Sequence, residues 1–382
     1  MFGRPRIYLD YASAVPVLPR AKAAFIAALT AYGNPSAPHT EGRNARAIVE
    51  DARTAVARLA EVKPDAVLFT SGATEANALA IQGVVRASKR EHPHVLYLPT
   101  AHSSVVETME ALAQEGVAVE PLILSEGMVD LNALEAQLRP ETILISLDAV
   151  CGETGTSHNT RDVRRVLDKA KSGAFLHVDA SQLPRIASFE RTRLGADLIT
   201  LDAQKVGGIR GVGALIALRH VPLAPLVHGG GQERGLRSGS EPSALIAAFA
   251  VALLESNTEV KEFLPRAERM RAELLWNIAD IKDLVINGGT HTVPHILNIS
   301  LLGRDTDYLV ALLDEAGFAV STKSACETDL EGSRVVLLET QDPERAAATL
   351  RISWGSASTS RQLQQFAKAL KDAVAFLDAQ NV

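Results

Sequence analysis

The sequence is 382 residues long, has 45 acidic and 39 basic residues for a net charge of -6, and spreads its lysines and arginines along the chain rather than gathering them into a stripe. That balance argues against nucleic-acid binding, and the length exceeds what one hydrophobic core usually serves, so a large domain with a smaller companion is expected. Hydrophobic residues make up 47% of the chain but aromatics only 4%, which leaves Ala, Val, Leu and Ile to build the core of an α/β enzyme.

Met1 to Asp10 has basic residues with no apolar stretch behind them, and the longest apolar run, Ala244 to Leu254, is too short to span a bilayer, so a soluble, cytoplasmic protein is expected. From about Ala45 to about Leu254, short β-branched or Leu-rich runs alternate with longer amphipathic stretches, the pattern of a mostly parallel sheet wrapped by helices. The predicted strands are Ala66 to Thr70, Val95 to Leu98, Thr142 to Leu147, Phe175 to Val178, Leu198 to Leu201 and Gly213 to Ala217. Ligands of open parallel sheets collect at the C-terminal ends of such strands. His92 and His94 fall beside a predicted loop and read as surface residues. The charge-rich stretch from Thr258 to Asp283 reads as a helical connector. A large domain over 15–257 and a small one from 1–14 with 258–382 follow from that reading.

Three segments bear chemistry. In Thr70-Ser-Gly-Ala-Thr-Glu-Ala-Asn77 a strand end turns into a helix start, where free amides and the Thr74 hydroxyl suit a phosphate, although a simple helix cap reads as well. In Leu176-His-Val-Asp-Ala-Ser-Gln182 a strand delivers Asp179 to its end, with Gln182 one helical turn further on. A carboxylate there can pair with a protonated ring nitrogen and an amide with a phenolic oxygen, or Asp179 can merely cap a helix. Finally, Asp197 to Lys205 ends a strand just before Lys205, and the glycine-rich Val206 to Gly213 lets backbone pass close to a ligand. The two cysteines, Cys151 and Cys326, read as free thiols. Phosphate-loop, serine-hydrolase, His-Glu-x-x-His and Cys-x-x-Cys motifs are absent.

Taken in order, these segments resemble the class V aminotransferases of the fold-type-I pyridoxal-phosphate enzymes, and within them the group I cysteine desulfurases similar to NifS and IscS. The resemblance rests on Tyr8-Leu-Asp-Tyr-Ala12, Gly33-Asn-Pro-Ser36, Ser71-Gly-Ala-Thr-Glu75, His102, Glu153-Thr-Gly-Thr156, His177-Val-Asp-Ala180 with Gln182, and Lys205. It continues through Gly229 to Gly235, Arg237-Ser-Gly239, Ser324-Ala-Cys326 and Arg351-Ile-Ser353. It implies a large domain with a mostly parallel seven-stranded sheet sandwiched by helices, and a smaller α+β C-terminal domain. It implies Lys205 on the aldehyde of pyridoxal 5'-phosphate, Asp179 on the pyridine nitrogen, Gln182 on the ring oxygen and His102 stacked on the ring. Ala73, Thr74 and Gln204 would hold the phosphate together with Ser240, which in the family reaches in from the other subunit of a homodimer. Arg351 and Asn34 would bind the substrate. Cys326 would take sulfur from L-cysteine as a persulfide, for an acceptor or scaffold protein of iron–sulfur cluster biogenesis, with Lys323 and Arg334 lowering its thiol pKa.

The sequence departs from the family at Cys151-Gly152-Glu153, where an asparagine is usual before the glutamate, at Asp202 and Gln204, where Ser and His are usual, and at Tyr11-Ala-Ser-Ala-Val-Pro16. Asp202 puts a carboxylate where a phosphate is expected. Two alternatives therefore stay open: a related lyase or aminotransferase acting on another amino acid, and a cofactor-poor binding partner within a sulfur-transfer assembly. Cys151 reads as an inert buried thiol.

Overall fold

A computed structural model describes residues 6–322 and 332–380. A short strand, β1 (Ile7–Tyr8), leads into α1 (Pro19–Ala28) and α2 (Thr40–Ala60). Then come β2 (Val67–Thr70), α3 (Ala73–Ala87), β3 (His94–Tyr97), α4 (Ser103–Gln114) and β4 (Ala118–Pro121). A hairpin of β5 (Leu124–Ser125) and β6 (Met128–Val129) precedes α5 (Leu131–Gln137). The alternation resumes through β7 (Thr142–Asp148), α6 (Thr160–Lys169), β8 (Phe175–Asp179), α7 (Arg191–Leu194), β9 (Leu198–Asp202), β10 (Gly213–Ala217) and the long α8 (Ser243–Ile278). The C-terminal part contains β11 (Leu284–Asn287), β12 (Ile296–Leu301), α9 (Thr306–Glu315), β13 (Phe318–Ala319), α10 (Arg334–Thr340), α11 (Pro343–Ala347), β14 (Thr349–Ser353) and α12 (Ser360–Gln380).

Seven strands form the main sheet in the order β2-β10-β9-β8-β7-β3-β4, parallel throughout except for β10, which runs antiparallel to both neighbours. Every residue of β7 and β9 is buried, because helices cover both faces, and such strands read as continuous apolar runs. β4 was not among the expected strands. It is a four-residue edge strand with exposed ends and no apolar run to betray it.

Two further expectations are corrected. His94 is not a surface residue: it opens β3, is 1% exposed, and its ring Nδ1 pairs with Thr142 Oγ1 at 2.9 Å. The connector expected from Thr258 is the second half of α8, which starts at Ser243, immediately before the apolar run, and continues through Pro265 without a break. In its first half Ile246, Phe249 and Leu253 are buried, where the helix packs on α1 and α2. In its second half a single stripe of Phe263, Ala267, Met270, Leu274 and Ile278 stays buried while the charges face out. Beyond α8, β11, β12 and β14 form an antiparallel sheet, and β1 returns to pair in parallel with β13.

Candidate active site

The C-terminal ends of β7, β8 and β9, the start of α3, the loop before α4 and the segment from Ala12 to Ala14 enclose a cavity of about 440 Å³. Lys205 reaches it from a single 3-10 turn after β9. Gly207, two residues on, adopts φ +80°, and a Cβ there would lie 2.6 Å from Leu18, so only glycine lets the chain leave this turn without strain. Lys205 Nζ donates to the carbonyls of Ala12 and Ser13, both at 2.8 Å. Burial lowers the pKa of its ammonium, with the Asp202 carboxylate opposing that shift.

Asp179 ends β8, and no helix follows it. Its Oδ1 accepts from Ser181 N at 2.9 Å in a turn, and Gln182 lies in that same turn rather than on a helix, its Nε2 donating to Ala12 O at 2.8 Å. The second oxygen, Oδ2, accepts from Asn77 Nδ2 at 2.8 Å. Asn77 also donates to Ser104 Oγ at 2.9 Å, which lies 2.9 Å from His102 Nδ1, and that ring nitrogen accepts from Ser104 N as the N-cap of α4. A continuous chain, Asp179–Asn77–Ser104–His102, thus fixes the carboxylate and the imidazole relative to each other. Asn77 and Ser104 have no signature of their own in the sequence; their part depends on α3 and α4 packing side by side.

Arg351, in the middle of β14, projects into the cavity and is 4% exposed. Its guanidinium donates to Asp10 Oδ1 at 2.7 Å, Ser13 Oγ at 2.8 Å and Gly152 O at 3.0 Å. Gly152 contributes backbone only, and a Cβ there would stand 3.0 Å from Gln182 Nε2.

The sequence profile of the family described as Aminotransferase class-V matches residues 7–366. The chain belongs to that family. Cysteine desulfurase IscS 1 of Archaeoglobus fulgidus is 33% identical over 367 residues, which are 95% of this chain and 95% of that protein. A solved NifS-like protein superimposes with a TM-score of 0.92 at 30% identity, covering 97% of this chain and 100% of the other. The structure of SspA in complex with cysteine superimposes with a TM-score of 0.79 at 27% identity, covering 92% of this chain and 99% of the other.

In this class-V aminotransferase chain, Ala73, Thr74, His102, Asp179, Gln182, Gln204, Lys205 and Arg351 all line the one cavity. Asn34 does not: it is exposed and spends its Oδ1 on Ser36 N at 2.9 Å in its own turn. Ser240 is exposed and lies outside the cavity of its own chain. Cys326 and Lys323 lie outside the described residues. Arg334 lines the cavity and donates to Ala101 O at 2.9 Å. Cys151 is buried, and burial pushes its thiol far up, as suits an inert thiol.

The residues fit a polar, planar cofactor. Four buried atoms on the wall, Thr100 Oγ1, Asp148 Oδ1, Ser181 Oγ and Arg351 Nε, have no hydrogen-bond partner among the described residues, and a polar ligand would satisfy such atoms. A lysine of lowered pKa, a carboxylate at a strand end and an imidazole around one cavity are what pyridoxal phosphate needs from a protein.

Proposed function

We propose that the chain is a pyridoxal-phosphate-dependent cysteine desulfurase that converts L-cysteine to L-alanine and passes the sulfur to Cys326 for delivery to an acceptor protein. The observation that carries this reading is the convergence on one cavity of three segments, bearing Asp179 with Gln182, Lys205, and His102. The full-length likeness to a protein named cysteine desulfurase supports it. In this reading 15–257 forms the cofactor domain, and 1–14 with 258–382 the small domain of a cytoplasmic homodimer.

Lys205 would hold the cofactor's aldehyde, Asp179 its ring nitrogen, Gln182 its ring oxygen and His102 its face, with Ala73, Thr74, Gln204 and Ser240 of the partner subunit at the phosphate. When bound there, pyridoxal phosphate supplies a sink for the electrons left when an amino acid loses its α-proton. Lys205 Nζ, made less basic by burial, takes that proton and returns it to the same carbon. Arg351 exchanges Asp10 for the substrate carboxylate, a task that suits its two-pronged guanidinium. The Cys326 thiolate attacks the substrate sulfur: the carbon–sulfur bond breaks, a sulfur–sulfur bond forms, and the thiol's proton ends on the β-carbon of alanine.

The test is the visible spectrum of the purified protein with pyridoxal phosphate, followed by single-turnover alanine release from cysteine. Wild type gains a visible band and releases alanine, Lys205→Ala gains no band, and Cys326→Ala releases no alanine. A protein that stays colourless overturns the cofactor, and equal alanine release by Cys326→Ala overturns the sulfur acceptor. A second reading, a related lyase or aminotransferase for another amino acid, is favoured by Gly152, which offers the substrate no side chain beside Arg351. Absence of alanine from cysteine, with the band present, would select it.

A further inference from the structure

Asp202 is the last residue of β9, three positions before Lys205, and is 8% exposed. Its carboxylate holds two amides: Oδ2 accepts from Ala73 N at 3.0 Å and Oδ1 from Gln204 N at 2.8 Å. Ala73 opens the fifteen-residue α3, whose first amides concentrate positive partial charge. Gly72 lies directly against the carboxylate, a Cβ there falling 3.4 Å from Asp202 Oδ2, at ordinary van der Waals contact. Thr100 and Ser181, 2% and 7% exposed, line the same cavity, and their buried hydroxyl oxygens have no hydrogen-bond partner among the described residues, so the wall holds polar groups in reserve for a polar ligand.

The cofactor reading assigns this end of the cavity, Ala73 and Thr74, to the phosphate. A dianionic phosphate and an ionised Asp202 would then share one helix start. We propose that Asp202 and the phosphate compete for the Ala73 amide, so that pyridoxal phosphate binds with uptake of one proton onto Asp202. As a neutral acid, Asp202 becomes a hydrogen-bond donor, restoring to the site the donor capacity that a carboxylate lacks.

The charges around Asp202 are consistent with such a change. Lys205 follows it on the 3-10 turn, Asp179 ends the neighbouring strand β8, and Arg210 lines the same cavity. β10, on the other side, brings only Gly213, and Glu75 in the first turn of α3 is paired with Arg237 at 2.9 Å. Burial raises the Asp202 pKa from its ordinary value, while the Ala73 and Gln204 amides and Lys205 oppose that shift. A phosphate that took the Ala73 amide would remove one of those restraints and add negative charge, both of which favour the protonated form.

This proposal rests on the cofactor reading above, and one experiment separates the two. Dissociation constants of pyridoxal phosphate are measured between pH about 6 and about 9 for wild type, Asp202→Asn and Asp202→Ser. Proton uptake is measured by calorimetry in buffers of different ionisation enthalpy. Affinity of wild type should fall relative to both variants by up to about tenfold per pH unit, the signature of one linked proton. Wild type should take up one proton more than Asp202→Asn, and pyridoxal, which lacks the phosphate, should bind all three proteins alike. A wild-type-to-variant ratio that does not change with pH, with equal proton uptake, overturns the proposal while leaving the cofactor intact. Absence of pyridoxal phosphate binding in all three proteins overturns both.

Discussion

Asp148 and Asp179 end adjacent parallel strands in register, which sets two carboxyl groups side by side on one face of the sheet. Burial, and after it the charge of Asp179, push Asp148 up to about 8. Because this folded-state value is raised, the stabilising contribution is complete below the ordinary carboxylate pKa of about 4 and drains away as pH climbs toward the folded value. Asp148→Asn has no proton to lose. Its melting temperature should therefore gain on wild type steadily between pH 5 and pH 8, and a constant gap across that range would refute the buried neutral acid. Asp148 also shows where sequence reasoning stops: Asp179, Gln182 and Lys205 stand in recognisable strings, whereas Asp148, Asn77 and Ser104 acquire their parts only from neighbours that the fold brings from other strands and helices. Asn34 shows the opposite limit: it stands in a recognisable string, yet nothing in that string tells that its side chain closes a local turn.

Among the elements, the fully buried strands were legible to within a residue at their ends, because burial on both faces keeps them rich in Leu and Ile with few polar positions between. β4 and α8 were not. An edge strand has a wet side, and a helix that runs from the core to the surface changes its pattern midway. The joint between α2, β2 and the loop before α8 was equally invisible: Arg53 Nη1 and Nη2 each meet a Glu233 oxygen at 2.8 Å, and Glu233 Oε2 also accepts from Phe69 N at 2.8 Å. With Glu233 only 6% exposed, Glu233→Gln strips the charge that compensates Arg53 and should cost about 3–5 kcal/mol, read as a lower urea midpoint with unchanged slope. A loss below about 1 kcal/mol would mean that water reaches the pair.

At the scale of the whole molecule, Ile26, Leu29 and Tyr32 stand exposed on and just beyond α1, Tyr32 at 83%. Large apolar side chains left exposed this close together in the chain suit an interaction surface, in keeping with the proposed homodimer. If Ser240 serves the other subunit's phosphate, Ser240→Ala should bind pyridoxal phosphate about tenfold more weakly, the worth of one charge-assisted hydrogen bond. Mixing Ser240→Ala with Lys205→Ala should then rebuild one intact site per mixed dimer, and failure of mixing to restore tight binding would overturn the sharing of Ser240 between subunits. The carbonyl of Ala12, which holds both Lys205 and Gln182, has its own amide tied to Ser353 Oγ at 2.9 Å. A turn at Ala12 is therefore completed by a strand 341 residues further along the chain. That wall of the cavity is complete only once β14 has been made, so chains truncated before β14 should keep the main sheet, which uses no residue beyond β10, and leave the pocket open.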